Sequence, residues 1–113
     1  MKNLIVAMML IVGLSASAQE KKNKNAKYDI PVKGNCEQCE KRIEKAAFSV
    51  AGVKSAQWHS DDQMLHIILN EEKASVMDVK QAVAKAGHDA DDVKATDAAY
   101  EGLHHCCKYD REE

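Results

Sequence analysis

Hydrophobic and polar residues alternate in three stretches of the chain, at residues 26–32, 53–60 and 64–70. With a spacing of two, every second side chain lies on the same face of an extended segment, which is the pattern of a half-buried β-strand. Only a short turn of aspartate and glutamine separates the last two stretches, and this predicts a hairpin. A short acidic stretch at residues 88–95 can supply a fourth strand.

Helical spacing replaces this alternation in two places. From Cys39 onward, apolar residues recur at i, i+4, i+7, i+8 and i+11, which predicts an amphipathic helix that ends before Gly52. Ser75 precedes a second apolar stripe that ends at Gly87, and Asp78 stands at the position that completes a capping box. The predicted order is βαββαβ, an α+β ferredoxin-like fold with a four-stranded antiparallel sheet and two helices on one face.

The beginning of the chain has the pattern of a secretory signal peptide. Residues 1–18 combine a charged start, eleven apolar or small residues and a small-residue cleavage site before Gln19. Eleven residues are too few for a membrane-spanning helix, which needs about 20. We therefore expect a periplasmic or secreted protein without stable membrane insertion after cleavage. Residues 19–26 are polar and form a leader.

Size and charge limit the remaining possibilities. A chain of 113 residues has room for one small domain but not for a large enzyme core. The formal net charge is −2, which argues against a nucleic-acid-binding protein because such a protein needs a basic face.

Cys36 and Cys39 stand three positions apart at the start of the first predicted helix. The partial positive charge of a helix N-terminus favours thiolates, which bind soft metal ions and attack disulfides. Spacing alone leaves three interpretations open, with metal binding ranked above a redox pair of the thioredoxin type. A plain disulfide is the third, although so short a loop would constrain the unfolded chain little.

The surroundings of this pair resemble the heavy-metal-associated domain family, which includes copper chaperones and periplasmic mercury-binding proteins. The matching positions around the first helix are Cys39, Ile43, Glu44, Ala46, Gly52 and Val53, and those of the second helix are Val79, Val83, Ala86 and Gly87. The resemblance covers residues 27–94, and residues 95–113 form a C-terminal tail outside it. Gly34 departs from the family pattern, in which a methionine precedes the first cysteine by two positions.

This resemblance implies a non-enzymatic protein that captures a soft metal ion on Cys36 and Cys39 and transfers it. Cu(I) is the first expectation, followed by Hg(II) and Zn(II). The implied partner is a metal-transporting membrane protein or another metal-binding protein that acts as donor or acceptor. The alternative function is a thiol-disulfide oxidoreductase or redox sensor that uses the same pair.

Further candidate ligands lie outside the pair. The resemblance brings His88 close to the cysteine loop, where it is either a third ligand or a supporting residue. The tail concentrates four candidate ligands in four adjacent residues, namely His104, His105, Cys106 and Cys107. Short tracts of this composition are typical of metal binding. The tail is either a second or shared metal site or a structural extension that Tyr100, Leu103 and Tyr109 dock. A third alternative is a disulfide between Cys106 or Cys107 and another thiol, since an oxidising compartment favours disulfides.

Overall fold

The computed structural model describes residues 22–111, so the predicted signal peptide lies outside the described residues. The regular elements are strand β1 (Ala26–Pro31), helix α1 (Glu37–Phe48), strands β2 (Val53–His59) and β3 (Met64–Leu69), helix α2 (Val76–Lys85), helix α3 (Asp97–Glu101) and a 3₁₀ helix (His105–Cys107). None of the helices between residues 22 and 111 has the length and hydropathy needed to span a bilayer.

The three strands form one antiparallel sheet in the order β1-β3-β2. Leu65 in the central strand pairs with Ile30 on one side and with Trp58 on the other, and all three side chains are buried. Because side chains alternate across a strand, this register places the predicted apolar positions of all three strands on one face. Helices α1 and α2 bury their apolar stripes in the same core.

The expected fourth strand does not form among the described residues. Val32 and Ala90 make an isolated antiparallel bridge at the edge of the sheet, but Ala90 then pairs with Val93 across a tight turn. Asp91 inside this turn has a φ of 52°, which an extended strand cannot contain. The acidic stretch therefore contacts the end of β1 as a loop, and the sheet has three strands instead of four.

The helix ends follow the sequence signals. Ser75 and Asp78 form the predicted capping box, because each side chain accepts a hydrogen bond from the other residue's backbone N–H. Gly87 follows α2 with a φ of 109°, a conformation that L-residues rarely adopt. This glycine turns the chain from α2 toward the buried His88.

The C-terminal tail is part of the core. Leu103, Cys107 and Tyr109 are buried in the same cluster as the sheet and the two long helices. The Tyr109 hydroxyl donates a hydrogen bond to the Gly87 carbonyl at 2.9 Å and accepts one from the Asp89 backbone N–H at 2.8 Å. The tail is thereby held against the loop that follows α2.

Candidate metal centre

The Cys36–Cys39 pair lies at the N-terminus of α1. Cys36 is the N-cap residue in an extended conformation and is half-buried, whereas Cys39 is in the first helical turn and fully buried. Their sulfur atoms are 3.5 Å apart. Cys39 faces inward because it begins the apolar stripe of α1, and the backbone N–H of Asn35 lies 3.3 Å from its sulfur.

Gly34 gives the loop before this pair its close packing. A Cβ atom at this position would lie 3.1 Å from the Cys39 Cβ and 3.1 Å from two carbons of the Trp58 ring. Trp58 is buried, and its indole N–H donates a hydrogen bond to the Val32 carbonyl at 2.9 Å. The indole ring therefore fills the space beside the loop, and a larger residue than glycine would have to displace it.

The tail brings two further thiols to this loop. The sulfur of Cys36 lies 3.0 Å from that of Cys106 and 3.5 Å from that of Cys107, and the two tail sulfurs are 4.0 Å apart. The sulfur atoms of Cys36, Cys106 and Cys107 all lie within 4.8 Å of one another, which is the arrangement of a possible metal site. All four cysteines are free thiols.

The thiols differ in their acidity. Burial raises the pKa of Cys36, but hydrogen bonds from the Cys106 thiol and from the Cys39 backbone N–H outweigh it and lower the pKa to about 7. The pKa of Cys106 is raised because it hydrogen-bonds to Cys36, and the pKa of Cys107 is raised mainly by burial. Of Cys36, Cys106 and Cys107, Cys36 is therefore the thiol that ionises first, and it is the best nucleophile and metal ligand of these three near neutral pH.

His88 is buried, but it does not belong to the group of three sulfurs. Its Nδ1 lies 2.7 Å from the Lys33 carbonyl, so Nδ1 carries the proton, and the imidazole ring stacks on Tyr109. Nε2 is buried without a hydrogen-bond partner. Burial lowers the pKa of His88, which keeps the ring neutral near pH 7.

The two histidines of the tail do not join its cysteines in the sulfur group. His104 and His105 are exposed, and neither belongs to the sulfur group. Sequence reasoning did not identify two neighbours of the site, Asn35 and Gln38. The Gln38 side-chain oxygen lies 3.6 Å from the Cys106 sulfur. Both residues flank Cys36 or Cys39 in sequence, which is the only sequence signal that points to them.

Solved structures of metal-binding proteins share this fold. The Cu(I)-loaded N-terminal domain of a potential copper-translocating P-type ATPase from Bacillus subtilis is 31% identical with a TM-score of 0.56, and the match covers 59% of this chain and 85% of that domain. The apo copper chaperone of Enterococcus hirae is 27% identical with a TM-score of 0.54, over 58% of this chain and 97% of that protein.

Oxidized MerP from Ralstonia metallidurans has the same fold at 22% identity and a TM-score of 0.50, over 57% of this chain and 94% of that protein. No protein-family model and no curated protein matches the sequence. The structural matches nevertheless show that the chain belongs to the heavy-metal-associated domain family. They favour metal binding over the alternative of a thiol-disulfide oxidoreductase.

Proposed function

We propose that this protein is a non-enzymatic carrier that captures a soft metal ion, Cu(I) in the first place, on Cys36 and Cys39 and hands it to a second protein. The observation that carries the proposal is the convergence of free thiols at the N-terminus of α1 in a member of this family. The similar structures reported above include a Cu(I)-loaded domain and a copper chaperone.

The chemistry of the pair fits this cargo. Thiolates are soft ligands that select Cu(I) and other d10 ions over hard cations. Cys36 has a pKa of about 7, so a substantial fraction of this residue is already a thiolate at neutral pH. Its partial exposure allows an incoming thiolate to reach the ion, which is the requirement for exchange between two proteins.

Compartment and partner belong to the same proposal. A signal peptide at residues 1–18 would place the carrier in the periplasm or outside the cell, where it would exchange ions with a metal-transporting membrane protein or another metal-binding protein. The P-type ATPase domain among the similar structures supports a transporter as the acceptor. Hg(II) and Zn(II) are the other candidate cargoes, because both also bind thiolates.

A competition experiment tests the proposal. Reduced protein would be titrated with Cu(I) in the presence of bicinchoninate, a chromophoric Cu(I) chelator, and native mass spectrometry would report the number of ions bound. We expect one ion per chain and, in a chain whose tail thiols are removed by Cys106→Ala and Cys107→Ala, a further loss of affinity of at least about tenfold, or about 1.4 kcal/mol, when Cys36→Ser or Cys39→Ser is added. Met77→Leu removes an exposed sulfur from α2 and should leave the affinity unchanged. Wild-type affinity in both cysteine variants would refute the assignment.

A further inference from the structure

The tail cysteines are held beside Cys36 by contacts that do not involve their sulfur atoms. Leu103 precedes them and Tyr109 follows them, and both side chains are buried in the core. Arg111 adds a polar anchor: its Nη2 and Nε atoms lie 3.0 Å and 3.2 Å from the two carboxylate oxygens of Asp89. The position of the two thiols is therefore a consequence of the fold of the tail.

The distances among three of the sulfurs suit a single ion. With an ion–sulfur bond of about 2.3 Å, three thiolates around one ion lie about 4.0 Å apart, and two thiolates on opposite sides of an ion lie about 4.6 Å apart. Cys36, Cys106 and Cys107 form a triangle with edges of 3.0, 3.5 and 4.0 Å. Cys106 is exposed and can move outward to lengthen the shortest edge.

The Cys36–Cys39 pair is less well prepared to hold an ion alone. Its sulfurs are 3.5 Å apart and would have to separate by about 1 Å for linear coordination. Cys39 is fully buried in the α1 stripe, and its sulfur contacts the Asn35 N–H, so the core restricts this movement. The sulfurs of Cys106 and Cys107 lie 3.0 and 3.5 Å from the Cys36 sulfur, so they are at least as close to it as the Cys39 sulfur at 3.5 Å.

We propose that the tail makes this a shared site in which a single soft ion is bound by Cys36, Cys106 and Cys107, with Cys36 common to the tail and the Cys36–Cys39 pair. The inference rests on the proposed function. Each thiol that binds the ion releases its proton to solvent, and no change of oxidation state is involved. The tail thereby supplies further ligands to an ion whose coordination two thiols alone would leave incomplete.

The exposure of the three ligands sets the order of release. Cys106 is exposed, Cys36 is half-buried and Cys107 is fully buried. An acceptor's thiolate replaces Cys106 first, and the ion then leaves the remaining two sulfurs for the acceptor. The tail accordingly slows the release of the ion to any acceptor that does not displace Cys106.

X-ray absorption of the full, reduced chain loaded with one equivalent of Cu(I) tests this inference, together with stopped-flow release of Cu(I) to excess bicinchoninate. We expect at least three sulfur ligands in the wild type. Cys106→Ser should have one fewer, release the ion at least about tenfold faster and remain folded, because Cys106 is exposed. The double variant His104→Ala/His105→Ala is the matched control in the same tail and should behave as the wild type.

Two results would overturn the shared site. One is a wild-type ion with only two sulfur ligands and a release rate that Cys106→Ser leaves unchanged, which would leave the function at Cys36 and Cys39 intact. The other is the binding of two Cu(I) ions per chain, which would make the tail a separate site. If the wild type binds no Cu(I) at all, the proposed function fails together with this inference, so the two failures are distinguishable.

Discussion

The hydroxyl group of Tyr109 fastens the tail to the loop after α2, and its removal should loosen the whole tail. The side chain is 3% exposed. Its hydroxyl makes two hydrogen bonds, as donor to the Gly87 carbonyl at 2.9 Å and as acceptor from the Asp89 N–H at 2.8 Å. Tyr109→Phe keeps the ring and deletes both bonds, so that two buried backbone groups lose a partner.

The size of the effect follows from these two bonds. A buried backbone group left without a partner costs about 1–3 kcal/mol, and a typical intramolecular hydrogen bond contributes about 1 kcal/mol net. We expect Tyr109→Phe to lower the free energy of unfolding by about 2–3 kcal/mol. With an m-value of about 1 kcal/mol per molar urea for so small a domain, the unfolding midpoint should fall by about 2–3 M.

Urea unfolding of the reduced, metal-free protein measures this shift, with the fluorescence of Trp58 as the signal. Trp58 is the single tryptophan and is buried in the core, so its emission reports global unfolding. Tyr28→Phe is the matched control, because the Tyr28 hydroxyl bonds to the carboxylate of the partly exposed Glu71, which water can reach when the bond is lost, so its midpoint should fall by less than that of Tyr109→Phe. Equal midpoints for the two variants would refute the reasoning that the tail is fastened by Tyr109.

Two further predictions concern the cysteine cluster and the loop that supports the tail. The alkylation rate of Cys36 by iodoacetamide, followed by peptide mass mapping, should rise with pH through a midpoint of about 7. Cys106→Ala should move that midpoint upward because alanine has no donor for the hydrogen bond to the thiolate, and an unmoved midpoint would contradict this. Gly87→Ala should destabilise the protein in thermal unfolding by at least about 2 kcal/mol, because φ is 109° and the new Cβ would lie 2.7 Å from a Leu103 carbon. Gly102→Ala is the control and should cost less than about 1 kcal/mol, because its Cβ would meet nothing closer than 3.5 Å. Equal costs for the two variants would refute the argument.

Local patterns were sufficient to predict the strands and the two long helices. The alternation at Ala56 and Trp58 and the capping box at Ser75 depend only on residues a few positions apart, and the structure confirms both. The expected fourth strand was wrong because its sequence is too short and too polar to supply a continuous alternating pattern. Asp91 adopts a left-handed conformation there, and the chain turns back on itself.

The tail could not be placed from the sequence. Cys36 and Cys106 are 70 positions apart, and no periodic pattern connects two such segments. The composition of the tail did identify it as a candidate site, but not which of its ligands would face the cysteine loop. The 3₁₀ helix decides this, because neighbouring side chains on such a helix are about 120° apart and cannot all point to one place. Cys107 is buried and His105 is exposed.

His88 supplies a last prediction, because its burial couples the stability of the fold to pH. Burial lowers the pKa of the folded state below the ordinary value of 6.5. The unfolded chain therefore binds a proton on His88 as the pH falls below 6.5, whereas the folded protein binds this proton only at a lower pH. Stability from this residue is complete above pH 6.5 and declines as the pH falls toward the folded pKa, by up to about 1.4 kcal/mol per pH unit.

A comparison of the wild type with a His88 variant between pH 7 and pH 5 isolates this effect, because carboxylates titrate below this window and the other groups that titrate within it, Cys36 and His66 among them, are the same in both proteins. His88→Gln should lose less stability across this window than the wild type, as measured by urea unfolding at both ends. His66→Gln is the control of opposite sign: a hydrogen bond to Asp29 raises the pKa of His66, so its stabilisation is present at low pH and is lost as the pH rises through the folded pKa. The His66 variant should therefore lose at least as much stability as the wild type on acidification. Equal losses in the wild type and His88→Gln would refute the prediction, because they would show that the folded protein binds this proton as readily as the unfolded chain and that burial does not lower the pKa of His88.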